Sequence, residues 1–275
     1  LLKPIAFKTW LDSTLRLLHA EPIPTQISLL FSSIASASLS TPQTVMLTIY
    51  DPSTKKEWEE YVKPTTYGNQ NGLLYNRWVK QRQEMVEKLS NGKIGYVHVK
   101  SMDSPSFRKV YSEILGKYRN KEAIIVDTRY NGGGWLHEDL LHLLSGKKYA
   151  EFVPRGQFIG EDPFTQWNKP SAVLVSESNY SNAHGFPWAY KELGLGKVIG
   201  MPVPGTMTAV WWETLMDPSL VFGIPQVGMK DNQGRILENM QLEPDIKVTN
   251  DPASAMKGRD LQLEAAVESL MKEIK

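Results

Sequence analysis

Four short β-branched runs constrain this chain more than any other feature: Ile94 to Val99 (IGYVHV), Ala123 to Asp127 (AIIVD), Ala172 to Ser176 (AVLVS) and Val198 to Gly200. They alternate with segments of helical spacing, Ser104 to Arg119, Leu136 to Leu144 and Asn182 to Leu193. Runs that are apolar along their whole length, rather than at every second residue, belong to strands covered on both faces. Parallel neighbours need a crossover, so strand, helix, strand in succession implies a parallel or mixed sheet with helices packed on its faces. An α/β core over 93–275 is the expectation.

The remainder is less regular. An apolar, helical opening (Trp10, Leu11, Leu15, Leu17, Leu18) leads into a Ser-rich stretch from Ser32 to Thr41. Thr44 to Tyr50 (TVMLTIY), closed by Asp51 and Pro52, reads as a strand with Trp58 to Val62 as its hairpin partner. Leu74, Trp78, Gln81, Met85 and Leu89 recur at helical spacing, predicting a linking helix over Leu73 to Leu89. Thr208 to Thr214 and Ile236 to Val248 read as strands, and Arg259 to Lys275 as an amphipathic helix. With 275 residues, 41% of them hydrophobic, the chain can bury one large domain and a small one. The expected division is an N-terminal module over 1–72, a linking helix over 73–92 and the core over 93–275.

Composition removes several functions. Lys and Arg number 31 against 30 Asp and Glu, so no general field gathers nucleic acid or an anionic membrane. No run approaches the roughly 18 apolar residues of a membrane span; the longest, Ile27 to Ser38, is diluted by serines. Without cysteine there is no disulfide scaffold, thiol nucleophile or thiolate metal site. The histidines His19, His98, His137, His142 and His184 form no HExxH pair, and His137 and His142 fall on different helix faces. Neither a metal nor a cofactor is expected. The first residue is Leu1 and no signal peptide precedes it, which reads as a processed product or a fragment.

Three segments carry candidate chemistry. Asp127 to Trp135 (DTRYNGGGW) follows a buried strand and precedes a helix. Three glycines leave the backbone bare, so its N–H groups can reach an anion or a polarised carbonyl oxygen; a tight turn is the plain alternative. Ser176 to His184 (SESNYSNAH) again joins strand to helix, where a serine is most often an N-cap. Both turns stand at the C-terminal ends of neighbouring strands, where open α/β sheets place their sites. Glu238 lies in a third segment, among apolar residues, and on sequence physics alone reads first as an ordinary edge-strand carboxylate. His98, mid-strand, reads as a satisfied core residue, and His184, three residues after Ser181, as a weak candidate for a base.

Four stretches together resemble the tricorn-type serine peptidases of family S41, more distantly the C-terminal processing peptidases: GYVHV (95–99), VDTRYNGGGW (126–135), SNYSNAHGFPWAYKELGLGKVIGMPVPGT (178–206) and LENMQLEPDIKVTNDP (237–252). They stand in the family's order and span about two thirds of the chain, Lys93 to Lys275. Ile27 to Pro64 resembles the closing part of the PDZ-like domain that precedes such a core. The resemblance implies a ClpP/crotonase-like α/β core behind a partial PDZ-like module.

It also implies roles. Ser181 takes the nucleophile's position, and the N–H groups of Asn182 and of Gly133 would form the oxyanion hole. Gly132, Gly134 and Trp135 would line the substrate site. Glu238 matches the glutamate of the network that orients the base. Tricorn-type members often carry Asp where Asn182 stands. Their histidine base belongs to a helical region before the PDZ-like domain, and His19 sits in no matching motif; the base is therefore expected upstream and this chain by itself is expected to turn over poorly. The processing peptidases use a lysine about two dozen residues past the serine, and Pro204 to Thr208 contains none, which disfavours a serine–lysine dyad.

The leading reading is thus a serine endopeptidase or oligopeptidase acting through an acyl-enzyme on oligopeptides or unfolded proteins, extended along a sheet edge. Trp135, Trp211 and Trp212 are candidate pocket walls. The alternative is a non-catalytic peptide-binding scaffold on the same fold. A third, acyl-thioester chemistry with the same amides, lacks a coenzyme A motif and ranks last. Homo-oligomers are expected by resemblance, and the composition fits a periplasmic or a cytoplasmic setting.

Overall fold

The computed structural model describes residues 44–274. The apolar opening, the Ser-rich stretch up to residue 43 and His19 lie outside the described residues. Contacts divide the chain into two units, Leu1–Leu74 and Tyr75–Lys275. In the first, β1 (Val45–Asp51) pairs antiparallel with β2 (Lys56–Val62), from Val45 opposite Val62 to Asp51 opposite Lys56. Asp51 closes the turn: Thr54 and Ser53 donate to its carboxylate, holding its pKa down at about 2. Helix α1 (Tyr67–Leu89) begins six residues before the expected Leu73. Thr66, whose Oγ1 accepts the N–H of Asn69, starts it ahead of the first apolar repeat.

In the second unit, β3 (Ile94–His98), β4 (Ala123–Asp127), β7 (Ser171–Val175), β8 (Lys197–Gly200) and β11 (Ile246–Lys247) form one parallel sheet in the order β11-β8-β7-β4-β3. Each strand therefore adds beside the one before it. Right-handed crossovers that always step the same way put their helices on one face. Accordingly α2 (Ser104–Ser112), which continues as a π-helical turn over Glu113–Lys117, shares one face with α3 (His137–Leu144) and α4 (Asn182–Glu192), packing Val110, Ile114, Leu140 and Phe186 onto Val97, Val126 and Val173. The opposite face, carrying Tyr96, Ile125, Leu174 and Ile199, is covered by Val79 and Val86 of α1 and by Leu263, Val267 and Leu270 of the last helix. Between these elements lie the short hairpin β5 (Ala150–Phe152) with β6 (Gly160–Asp162), the hairpin β9 (Ala209–Thr214) with β10 (Val221–Val227), and helices α5 (Pro252–Met256) and α6 (Leu261–Glu273).

The four expected core strands are all present. The expected strand over Ile236 to Val248 reduces to β11, because Asn239 takes φ +61° and turns the chain; Ile236 and Leu242 form only isolated bridges, to Lys230 and Val203. Conversely β10, with Gly223 and Pro225 inside it, carries no strand signature in the sequence.

A buried ion cluster ties the last helix to the sheet. Arg129, 1% exposed, donates to both oxygens of Asp127 and to both of Asp260, the N-cap of α6, and also to Gln262. Burial alone would raise the carboxyl of Asp260, but the bonds from Arg129 hold it below the usual carboxylate range. Removing one member of such a cluster leaves a buried charge unpaired, which costs about 3–5 kcal/mol. Arg129→Met is expected to lower unfolding free energy by that amount in urea titration. Lys272→Ala, which breaks an exposed pair with Glu268, is expected to change it by no more than about 0.5 kcal/mol. Equal effects would overturn this account of the cluster.

Candidate active site

The turn after β4 and the turn after β7 meet at the C-terminal end of the sheet, joined by three buried amides. Asn131 donates from Nδ2 to Val99 O (2.8 Å), accepts the N–H of Gly133 at Oδ1 (2.8 Å), and accepts the N–H of Tyr180 at its carbonyl (3.0 Å). Asn179 accepts from the N–H and Oγ of Ser176, and donates to Thr128 Oγ1 and Ala183 O. Asn182 Oδ1 accepts the N–H groups of Leu136 and His137, and its Nδ2 meets His137 Nδ1 at 2.8 Å, which makes that ring nitrogen the acceptor. Asn182 thus secures the start of α3 to the start of α4, and its side chain is committed to that joint.

Of the three serines, Ser176 is buried and bonded, Ser178 is exposed, and Ser181 stands half-exposed at the N-cap of α4. Its Oγ makes no capping bond, and its backbone lies at φ +54°, ψ −124°. A non-glycine residue in that region is strained and persists only where its surroundings fix it. Gly133 explains the fit: at φ +95°, a Cβ there would fall 2.7 Å from Ser181 Cβ and 2.8 Å from Tyr180 O. Only a glycine lets the first turn lie against this serine.

The loop after β8 completes the arrangement. Thr206 Oγ1 accepts the N–H of Ser181 at 2.8 Å, and the N–H of Thr206 points to His184 Nδ1 at 3.4 Å. Glu238 Oε2 accepts the N–H groups of Met207 and Thr208, both at 2.8 Å. His184 is fully buried, its Nε2 unpartnered among the described residues, and burial pushes its pKa down to about 4 against the opposing pull of Glu238.

The structure therefore brings Ser181, Asn182, Gly132 to Gly134 and the loop held by Glu238 together. It amends the expectation for Gly133, whose N–H is engaged by Asn131; among the described residues the amides of Gly132, Gly134 and Asn182 have no protein acceptor. His184 faces Thr206, and among the described residues no side chain bonds to Ser181 Oγ. His98 is satisfied as expected, by Tyr75 Oη and Arg129 O. Trp135 is exposed and meets His137 edge-on at 5.3 Å. Trp211 and Trp212 are exposed on β9. Sequence reasoning missed Asn131, Asn179 and Thr206; the signal for the first two is a short amide beside each turn, and for Thr206 there is none.

Comparison with known proteins decides the lineage. The profile of Peptidase family S41 matches residues 93–248, more than half of the chain. The chain belongs to peptidase family S41. It is 27% identical over 245 residues to a chain of Sulfurisphaera tokodaii named as a tricorn-like protease C-terminal subunit, covering 88% of this chain and 28% of that one. It is 25% identical to the tricorn protease of Thermoplasma acidophilum, covering 74% of this chain and 19% of the relative. The crystal structure of the tricorn protease superposes with a TM-score of 0.72 at 21% identity, over 84% of this chain and 22% of that one. This S41 chain thus spans less than a third of the length of each of these relatives.

Two outcomes follow from this geometry. Gly133→Ala is expected to destabilise the fold by about 1–3 kcal/mol, through strain at positive φ and contact with Ser181; thermal denaturation reads it, and a neutral effect contradicts the close approach. The pKa of His184 is lowered on folding, so its contribution to stability is complete above about 6.5 and is lost as pH falls towards about 4. At 1.36 kcal/mol per unit the loss reaches about 3 kcal/mol. Between pH 7 and 4.5, wild type is expected to lose about 2–3 kcal/mol more than His184→Leu in urea denaturation. Parallel losses would show that His184 is not neutral and buried.

Proposed function

We propose that this chain is the core of a serine peptidase that cleaves extended oligopeptides or unfolded proteins through an acyl-enzyme. The observation that carries the reading is Ser181 itself: a half-exposed N-cap serine at φ +54° whose hydroxyl caps nothing. Family membership supplies the reaction class.

In the proposed mechanism Ser181 Oγ attacks the carbonyl carbon of the scissile bond and loses its proton to a base. The carbonyl oxygen becomes an oxyanion, received by the N–H of Asn182 at the start of α4 and by an amide of the glycine turn, where those of Gly132 and Gly134 are unengaged. Each such donor lowers the barrier by about 3 kcal/mol, and the positive end of α4 favours the same charge. Collapse expels the amine with the proton from the base, and water then hydrolyses the ester. The base is a histidine from outside the described residues, as in the tricorn-type arrangement. Glu238 keeps Oε2 on the loop, while Oε1 has no hydrogen-bond partner among the described residues and is the atom that would steady a positively charged base. Trp135, exposed beside the turn, is the proposed wall of the substrate site.

Active-site labelling with a fluorophosphonate tests the reading, on this chain and on a form extended at its N-terminus. The expected result is a single adduct on Ser181, confined to the extended form and abolished by Ser181→Ala. Without the base the labelling rate is expected to fall by about 10⁴ or more. No adduct in either form would replace the peptidase by a peptide-binding scaffold.

A further inference from the structure

We infer that Thr206 and His184 form a latch that sets the backbone of Ser181: Thr206 positions the serine by accepting its N–H, and His184, as a neutral acceptor, holds Thr206 in register. The inference rests on the proposed role of Ser181 as nucleophile. The latch itself is a statement about hydrogen bonds and stands apart from any turnover.

Ser181 occupies backbone space that its own chain does not favour, so something must hold it from outside the turn. Its carbonyl is held by the helix, accepting from the N–H groups of His184 (2.8 Å) and Gly185 (3.3 Å). Its N–H leaves in the other direction and ends on Thr206 Oγ1, 25 residues on in sequence, at 2.8 Å. Among the described residues this is the one side-chain hydrogen bond that Ser181 receives or gives. Loss of it frees the peptide plane before Ser181 to rotate, and with it the direction of Oγ.

An acceptor is useful only where it is itself fixed, and Thr206 is fixed on both sides. The Gly205 carbonyl accepts the N–H of Asn239 at 2.9 Å, and a Cβ on Gly205 would fall 2.3 Å from Met240 N, so the two backbones lie in direct contact. On the other side Glu238 grips the next two amides. The amide of Thr206 itself is left for His184 Nδ1. This bond fixes the tautomer: Nδ1 accepts, so Nε2 carries the hydrogen, buried and without a partner among the described residues. An apolar residue would fill the space equally well without an orphaned N–H. The feature a histidine adds at this position is the acceptor facing Thr206. Protonation would turn that acceptor into a donor facing a donor; burial opposes it, and Glu238 is the charged group that faces the ring.

The test reads the Ser181 amide directly, by hydrogen exchange in the full chain, beside the rate of fluorophosphonate labelling in the form that labels. Thr206→Val removes the acceptor at constant shape, and Thr206→Ser restores it. Exchange at Ser181 is expected to accelerate about tenfold in Val, as for one hydrogen bond, and to remain slow in Ser. Labelling is expected to slow about 10- to 100-fold in Val through misdirection of Oγ, with recovery in Ser. His184→Leu is expected to accelerate exchange at both Thr206 and Ser181. Thr206→Ala serves in place of Val if Val does not fold. Unchanged exchange in the acceptor-less variant overturns the latch, and faster exchange with an unchanged labelling rate overturns its positioning role. A wild type that never labels sinks the peptidase reading alone, and exchange then decides the latch by itself.

Discussion

Asn131, through its side-chain amide and its main-chain carbonyl, is the smallest piece of the molecule on which the rest of the site depends. One primary amide and one carbonyl join the end of β3, the glycine turn and the serine turn. The two side-chain bonds are buried, so each one missing leaves a polar atom without water. A buried network of this kind has one low-energy arrangement. That is the property needed where a strained serine must keep its direction. The glycines then matter for what they lack: Gly133 has no Cβ to hold the two turns apart.

Glu238 illustrates how much position alone leaves open. Read from sequence it is a carboxylate on an edge strand or a member of the charge network of the base. In the structure one of its oxygens is a clamp for two backbone amides of the loop that carries Thr206. The same group can then serve two purposes on two oxygens. The sheet supplies the frame: the loops after β4, β7 and β8 leave neighbouring parallel strands at the same end, so residues far apart in sequence arrive together.

Much of this was legible beforehand, for identifiable reasons. Fully buried parallel strands leave unbroken apolar runs, and 94–98, 123–127 and 171–175 follow those runs to within a residue. The two strand-to-helix turns were legible because strand ends followed by helices are marked by small and polar residues, whereas the choice of Ser181 among three serines came from the resemblance to family S41 and not from local pattern. The ion cluster of Arg129 with Asp260 was not, since a bond across 131 residues leaves no local pattern. The hairpin β9–β10 was half legible: Val210, Trp211 and Trp212 announce a strand, whereas Gly223 and Pro225 conceal its partner, Gly223 because Trp212 packs over its missing side chain. Thr206 had no signature at all, because a threonine in a loop is ordinary until its hydroxyl is seen beneath a serine amide.

The winding of the sheet has a bearing on how such a chain comes into being. Because β3, β4, β7, β8 and β11 lie in space in the order in which they are written, no strand has to be inserted between two that already pair. A nascent chain emerging from the ribosome can lay each new strand on the open edge of the one just made, with α2, α3 and α4 closing over the first three crossovers. The clasp from Arg129 to Asp260, and the cover that Leu263, Val267 and Leu270 give to one face, must wait until α6 has been synthesised. The earliest turn of the site and α6 are thereby joined in one act, and the emergence of that helix locks the frame.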